Sequence, residues 1–547
     1  MTNGVAFRMV MRSEKPIAFW RNDAMEQFIK KHGKDITGVL SGWDRIRFRG
    51  TIRMLAYATG MLGWLGDQRV LLKNFDSFAM RLTHSLRASV LNVAQAAGRQ
   101  VRYLASSRLS KEDLVQELIR REGLTDGLVC VLSCVDPCQS YEIHRNPETK
   151  RIEPTTALRK CLHFYLYFID PVIGLCHVRI QSWLPFTVHV CVNGREWLCR
   201  QLQEAGIRFT RSDNCLLDVA DVPAAQSLLD AQPRADWTGM LNGLLKRSCP
   251  ALLELPLAKR FQEYYWSADE TEWATDIMFR SPRTLADLYP SLIKHAMTTF
   301  SSRDVMRFLG RTRMPARGGV DVRFNGQVVS ELKERPEGVR IKHSVNNNSL
   351  KMYDKQGSVL RAETTINDAH DLSVYRATES DPDQKKKWRR LRKGVVDLPR
   401  RSEISQAANS RYLAALSEAD ATTPLGKVAD AVRRPVVREG RRFRGLNPLS
   451  GPDADLGEIL LRGEFSISGF RNRHVRILMH PRTRSREAQR RESSQISRLL
   501  RLFREHGLIR KLKGTHRYLL TAKGRRTLPA FIAARNASTE KLNKLAA

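Results

Sequence analysis

The sequence predicts an α+β chain of several domains: a helical N-terminal region, two antiparallel-sheet regions with flanking helices, and a C-terminal winged helix. Three observations carry that expectation. Length is the first, since 547 residues at roughly 100–200 residues per domain make about three to five units, each able to bury a core without disulfide or metal staples. The second is the period of the apolar residues, which changes along the chain from helical to two and back. Charge is the third: 92 Lys+Arg against 57 Asp+Glu leave +35, and a polyanion such as nucleic acid relieves self-repulsion of that size. The excess is uneven. Residues 301–547 hold 53 basic and 26 acidic side chains, the preceding 300 only 39 and 31, so a binding half is expected rather than a uniformly basic protein.

Residues 1–126 read as a helical domain, with helices expected over Asp23–Lys31, Thr51–Leu65, Asn74–Gly98 and Lys111–Glu122. Ser110 followed three residues later by Asp113 marks the start of the last one. Trp43–Gly50, basic and turn-rich, reads as an exposed helix connection or a phosphate contact. Residues 127–232 form an α+β unit. In it Leu162, Phe164, Leu166 and Phe168 alternate with His163, Tyr165 and Tyr167, and Cys176, Val178 and Ile180 alternate with His177, Arg179 and Gln181. Such alternation gives an antiparallel sheet with one apolar face, and its His/Tyr/Arg face is a candidate stacking platform for unpaired bases. Tyr141–Glu153 reads as a hairpin turning at Asn146-Pro147, and Arg195–Ala205 as a helix. Residues 233–317 return to helix, 318–380 form a β-meander, and 381–450 are a basic, partly helical linker.

Residues 451–535 read as the winged helix, followed by a tail over 536–547. The first helix is expected over Ala454–Arg462, a short strand at Phe465–Ile467, the second helix over Asn472–Leu478, and a third N-capped by Ser493 or Ser494. In that third helix Ile496, Leu499, Leu500 and Phe503 form a buried stripe, which leaves Gln495, Arg498, Arg501 and Arg504 on the open face. Strands Leu508–Leu512 and Arg517–Leu520 flank a wing, adding Lys511, Lys513, His516 and Arg517. Between residues 471 and 526 there are 18 basic and 3 acidic residues, the charge a helix needs to lie in a major groove among phosphates and guanine edges. The run LLRLFREHGLIRKLKGTHRYLLTAKG resembles the end of MarR-like winged-helix domains, which implies duplex DNA binding by these residues.

Catalytic signals are sparser. No phosphate-binding loop of either common type and no nucleophile elbow occurs. Asp321, Glu331 and Lys333 follow the D-x9-E-x-K pattern of metal-dependent nucleases, in which two carboxylates hold Mg2+ and a lysine polarises the attacking water. Mg2+ is the cofactor only under that reading. Cys130, Cys134 and Cys138 lack the spacing of a zinc knuckle and read as core cysteines, so no metal ligands are assigned. Lys351, Tyr353 and Lys355 share one strand face, and Arg361 with Glu363 the next. Together they form a candidate patch for phosphate and base contacts. Tyr353-Asp354-Lys355 and Leu360-Arg361-Ala362-Glu363 resemble a strand pair of some phage and plasmid replication initiators, although this chain contains no His-x-His.

Taken whole, the stretches WDRIRFRGTIR, GLVCVLSCVDPCQS, QSWLPFTVHVCVNGREWL, TFSSRDVMRFLGR, GVRIKHSVNNNSLKMYDKQGSVLRAETTIN and GEFSISGFRNRHVR are similar to those of a family of large, basic, little-characterised bacterial proteins. That resemblance implies a winged-helix terminus and a mobile-element setting, and no settled activity. The expected protein binds nucleic acid: duplex DNA through the winged helix, with single-stranded DNA or structured RNA as further partners. A metal-dependent nuclease or replication-initiator-like enzyme is the first alternative and a transcriptional regulator the second. Nine cysteines confined to Cys130–Cys249, and no apolar leader at Met1–Arg12, place it in the reduced cytoplasm at the nucleoid, away from membranes.

Overall fold

The computed structural model describes residues 23–106, 109–148, 150–255, 264–300, 302–310, 327–335, 338–376, 387–417, 425–461, 465, 469–481, 485–512 and 515–538. Helix and strand are mixed throughout. Along the chain, helix α1 (Asp23–His32) leads into strand β1 (Ile36–Thr51), followed by α2 (Ala58–Asp67), α3 (Phe75–Ala96), β2 (Val101–Tyr103) and α4 (Lys111–Glu122). The Ser110 side chain accepts from the Asp113 backbone N–H at 3.2 Å, as its position before α4 suggests. Strands β3 (Gly127–Arg145), β4 (Ile152–Asp170), β5 (Gly174–Gln181) and β6 (Val188–Asn193) come next, then α5 (Gly194–Glu204), β7 (Phe209–Ser212), β8 (Cys215–Val219), α6 (Val222–Ala231), α7 (Trp237–Ser248) and β9 (Tyr265–Phe279). The chain continues through α8 (Pro282–Thr299), α9 (Ser302–Phe308), β10 (Val328–Arg335), β11 (Gly338–Val345), β12 (Asn348–Lys355), β13 (Val359–Ile366), β14 (Ser373–Arg376), β15 (Lys387–Arg390) and α10 (Leu398–Leu416). It ends with α11 (Leu425–Arg433), β16 (Val436–Arg438), β17 (Arg441–Phe443), α12 (Gly451–Leu460), α13 (Asn472–Met479), α14 (Arg486–Glu505), β18 (Ile509–Lys511), β19 (Tyr518–Leu520) and α15 (Ala522–Asn536).

Two compact units interleave in this order, residues 1–281 with 358–411 and residues 282–357 with 412–547. In the first, strands lie in the order β13-β9-β1-β6-β5-β4-β3-β2, antiparallel except for β2 beside β3. Ile46, Phe48, Leu166, Val178, Val190 and Val192 pack in the main core with Trp43, Trp64 and Trp237. Their strand neighbours Arg45, Arg47, Tyr165, His177, Arg179 and His189 turn to the other face, as a period of two requires.

Several expectations change here. Trp43–Gly50 is the C-terminal half of β1 rather than a helix connection, because its Ile46 and Phe48 are core residues that its arginines disguise. β9 crosses the region expected to be helical, and Leu128–Val135 continues without a break as β3 to Arg145, while the expected hairpin is observed, with β3 turning at 146–151 into β4. The stacking platform is covered: the Lys111 ammonium of α4 lies 4.7 Å from the Tyr165 ring, and Tyr167 donates to Glu112 at 3.2 Å. The expected linker holds α10, whose Gln406 and Asn409 are fully buried against β9 and β13.

The second unit has an antiparallel sheet of β10, β11 and β12 and a separate core of α11–α15 residues. That core includes Leu456, Leu460, Val475, Ile496, Leu500, Phe503, Leu508 and Phe531.

Candidate metal centre and nucleic-acid interface

The most unusual chemistry of the first unit lies where β1, β9 and β13 run side by side. Pairing of β1 with β9 slips between Trp43 and Arg45, so Asp44 is the extra residue of a bulge, a device that re-aims a side chain. Glu272 and Asp276 share a face of β9, and the cross-strand partners Thr365 and Arg361 put themselves and Glu363 on that same face. The result brings carboxylate oxygens of Asp44, Glu272 and Glu363 within 4.8 Å of one another, all three residues buried. Thr365, directly opposite Glu272, buries a hydroxyl that makes no hydrogen bond.

Two arginines, each almost entirely shielded from solvent, hold this cluster together. Arg361 grips Asp276 with Nε at 2.6 Å and a terminal nitrogen at 2.9 Å, and donates to Asp44 at 2.7 Å and to the Asn214 carbonyl at 3.0 Å. Arg195 reaches Asp276 at 2.8 Å from the first turn of α5. It gets there because Gly194 lets the helix start close to β1, where a Cβ would come within 2.0 Å of the Trp43 carbonyl oxygen, and because Asn193 caps that turn. Asn214 donates to Asp44 at 2.9 Å. Burial raises the Asp44 carboxyl above its ordinary range, with Glu363 and Asp276 adding to the rise and Arg361 and Arg195 opposing it. Burial also pushes Asp276 upward, but Arg195 and Arg361 together bring it below the ordinary range. Asp276 is thus the counter-ion of the arginines. Asp44, Glu272 and Glu363 form a hard-oxygen triad of the type that suits Mg2+ or Mn2+.

Sequence reasoning missed Asp44, Glu272 and Asp276 and misplaced Arg361. Arg361 was expected on an exposed phosphate patch; it is fully buried, so that patch does not contain it. Lys351, Tyr353 and Lys355 are half-buried along β12, beside Arg340 and Lys342 of β11. On β10, Glu331 accepts from Lys333 at 3.0 Å and lies 3.8 Å from Lys342. The Lys333 hydrogen bond holds its carboxyl below the ordinary range. Two ammonium groups therefore neutralise Glu331, and Asp321, its expected companion, lies outside the described residues. A signal for β9 existed in the alternation of Glu270, Glu272, Ala274 and Asp276 with Thr271, Trp273, Thr275 and Ile277.

The second unit carries the basic surface. Ile496, Leu500 and Phe503 are buried as expected, joined by Leu502, while Gln495, Arg498, Arg501, Arg504, Lys511 and His516 are exposed and Arg517 is half-buried. Lys513 lies outside the described residues, as do Ser466 and Ile467 of the expected first strand; the strand contact observed there is a single bridge from Phe470 to Tyr518. Arg501 rests 5.3 Å from the Phe443 ring, Arg504 pairs with Glu505 at 2.7 Å, and Arg498 Nε donates to the Ser494 carbonyl at 3.4 Å. α14 starts at Arg486, well before the expected Ser493 cap. Its added turns flank a cleft of about 630 Å3 lined by Arg471, Arg473, Arg476, Arg486, Arg490 and His516, with no acidic residue among the described residues of its wall. Asn472 ties α13 to α14 beside that cleft, donating to the Ser493 carbonyl and the Ser497 hydroxyl at 2.8 Å each.

No protein-family model, no curated protein and no solved structure matches this chain. Among the described residues no helix is long and apolar enough to cross a membrane.

Proposed function

We propose that this chain is a nucleic-acid-binding protein that engages duplex DNA through a C-terminal winged helix formed by α12–α15 and the β18–β19 hairpin, in a bacterial mobile or accessory element. The observation that carries the reading is the arginine-walled cleft between α13 and α14, continuous in sequence with the open face at Gln495, Arg498 and Arg501. Backbone phosphates are matched by such guanidinium forks, and base edges by side chains on the exposed helix face. The wing would add Lys511, Lys513, His516 and Arg517 to the same duplex.

A second reading has its own support. The buried Asp44/Glu272/Glu363 triad would hold a divalent cation through its carboxylate oxygens, and such an ion would supply Lewis-acid polarisation for phosphodiester chemistry. Under that reading the enzymatic centre is this triad, with Arg361 and Arg195 fixing its carboxylates. One experiment addresses both readings. The full chain is incubated with labelled duplex, single-stranded DNA and structured RNA, with and without Mg2+, and both mobility shifts and cleavage are scored. Duplex shifts that fail in Arg486→Ala/Arg490→Ala support the first reading. Mg2+-dependent cleavage lost in Glu363→Gln, with the shift retained, supports the second. A duplex shift unaffected by the double arginine change would sink the assigned interface.

A further inference from the structure

Apart from the carboxylate triad, the described residues contain one other group of three potential metal ligands within 4.8 Å of each other: Cys138 on β3 with Cys161 and His163 on β4. Cys138 Sγ lies 3.2 Å from Cys161 Sγ, and His163 Nδ1 lies 3.8 Å from Cys161 Sγ. Around tetrahedral zinc, with Zn–S near 2.3 Å and Zn–N near 2.0–2.1 Å, neighbouring donor atoms sit about 3.5–3.8 Å apart, so the Cys138–Cys161 and Cys161–His163 pairs already lie within tenths of an ångström of that spacing, and all three donors lie within 4.8 Å of one another. Spacing along one strand hides this group. It is made by the β3–β4 register, which sets Cys161 opposite Asp136 and Cys138 opposite Arg159.

That register also argues against a disulfide. The two cysteines are diagonal neighbours, and diagonal Cα atoms lie about 7–8 Å apart, beyond the roughly 4.4–6.8 Å a disulfide usually spans. A metal ion between the sulfurs supplies the missing reach. Cys138 and Cys161 open onto a cleft of about 640 Å3 whose wall includes Asp76, Glu142, Arg159 and Trp183, which gives an ion a way in.

We propose that Cys138, Cys161 and His163 bind one Zn2+ ion, with water from the adjoining cleft in the fourth position. Binding converts both thiols to thiolates and releases two protons. Coordination through Nδ1 leaves the ring proton on Nε2, in exchange for the 3.1 Å contact of Nδ1 with the Cys161 carbonyl oxygen.

The test uses the full chain, purified without chelator, its zinc content measured, then stripped and reloaded with Co2+. One zinc per chain is expected, with a thiolate-to-cobalt charge-transfer absorption that disappears in Cys161→Ser and persists in Cys199→Ser, a change on α5. Because substitution can perturb folding, the unmutated chain provides a second measurement: Zn2+ should slow alkylation of Cys138 and Cys161 but not of the other cysteines. A cobalt complex without thiolate absorption, absorption unchanged in Cys161→Ser, alkylation indifferent to Zn2+, or a native Cys138–Cys161 disulfide found by peptide mapping would each overturn the assignment.

Discussion

Arg361 holds Asp276, Asp44 and the Asn214 carbonyl from a position with no solvent, and its removal strands Asp44 and Asp276 in low dielectric. Breaking a buried pair from one side costs about 3–5 kcal/mol, so Arg361→Met should lower the unfolding free energy by that order in urea titrations. The two aspartates should then respond with opposite signs. The Asp276 carboxyl is lowered by its arginines, so its contribution is present above the ordinary carboxylate range and is lost as pH falls through its lowered value. Asp44 is raised, so its ionised form opposes the fold at neutral pH and its protonation favours it. Asp276→Asn should therefore destabilise at neutral pH, while Asp44→Asn should leave stability equal or higher; the reverse order would refute this division of roles. His343 gives a separate pH signature in the second unit. It is buried with contacts to Ser330 at 2.7 Å and Tyr412 at 3.3 Å, and burial lowers it to about 4. Its contribution is full above the unfolded value near ~6.5 and is lost as pH falls toward about 4, so His343→Gln should flatten the urea midpoint across that interval.

At the scale of elements, what the sequence reveals depends on whether burial is written in apolar residues. α4 and α5 were legible to within a residue, α4 because Ser110 caps it, whereas α14 was legible only in its C-terminal half, where Ile496, Leu500 and Phe503 repeat at helical spacing, and its start at Arg486 was missed. β1 and β9 were not, since half of each faces a charged cluster that hydropathy reads as surface. α10 escaped for the same reason. Its Asn409 spends both amide groups internally: it donates to the Trp273 carbonyl, the Ala362 carbonyl and the Thr275 hydroxyl, and accepts from Thr364 at 2.7 Å. Polar residues that satisfy one another this fully leave no periodic apolar trace. Asn409→Leu should strand those partners at about 1–3 kcal/mol for each unsatisfied group, measured by thermal unfolding. Asn409→Asp should cost more, because it also adds a charge. On α14, Arg498→Ala should weaken duplex binding by about 1–3 kcal/mol where it reads a base, and relax sequence preference there. Arg486→Ala and Arg490→Ala should weaken all sequences alike and each lower the salt slope by about 1.

Across the whole molecule, the basic surplus of residues 301–547 and the buried acids of the first unit describe two different electrostatic problems, and the two proposed readings would answer them with different ions. If phosphates answer the first, counterions are released on binding, and full-chain affinity for duplex should fall steeply and linearly in log salt. Under the second reading a divalent cation would answer the other. In the triad region four carboxylates (Asp44, Glu272, Asp276 and Glu363) face two shielded guanidiniums, with half-exposed Arg45 at the rim, 3.1 Å from Glu272. An ion that binds only the folded chain stabilises it by RT ln(1 + [L]/Kd), about 2.7 kcal/mol at a hundredfold excess over Kd. Mg2+ or Mn2+ should therefore raise the melting temperature of the full chain in a concentration-dependent way. Glu363→Gln should abolish the rise while leaving duplex binding intact, and Glu331→Gln should leave it unchanged, because Glu331 is already neutralised by Lys333 and Lys342. A rise that survives Glu363→Gln would place the divalent ion elsewhere and remove the physical basis for catalysis at β1, β9 and β13.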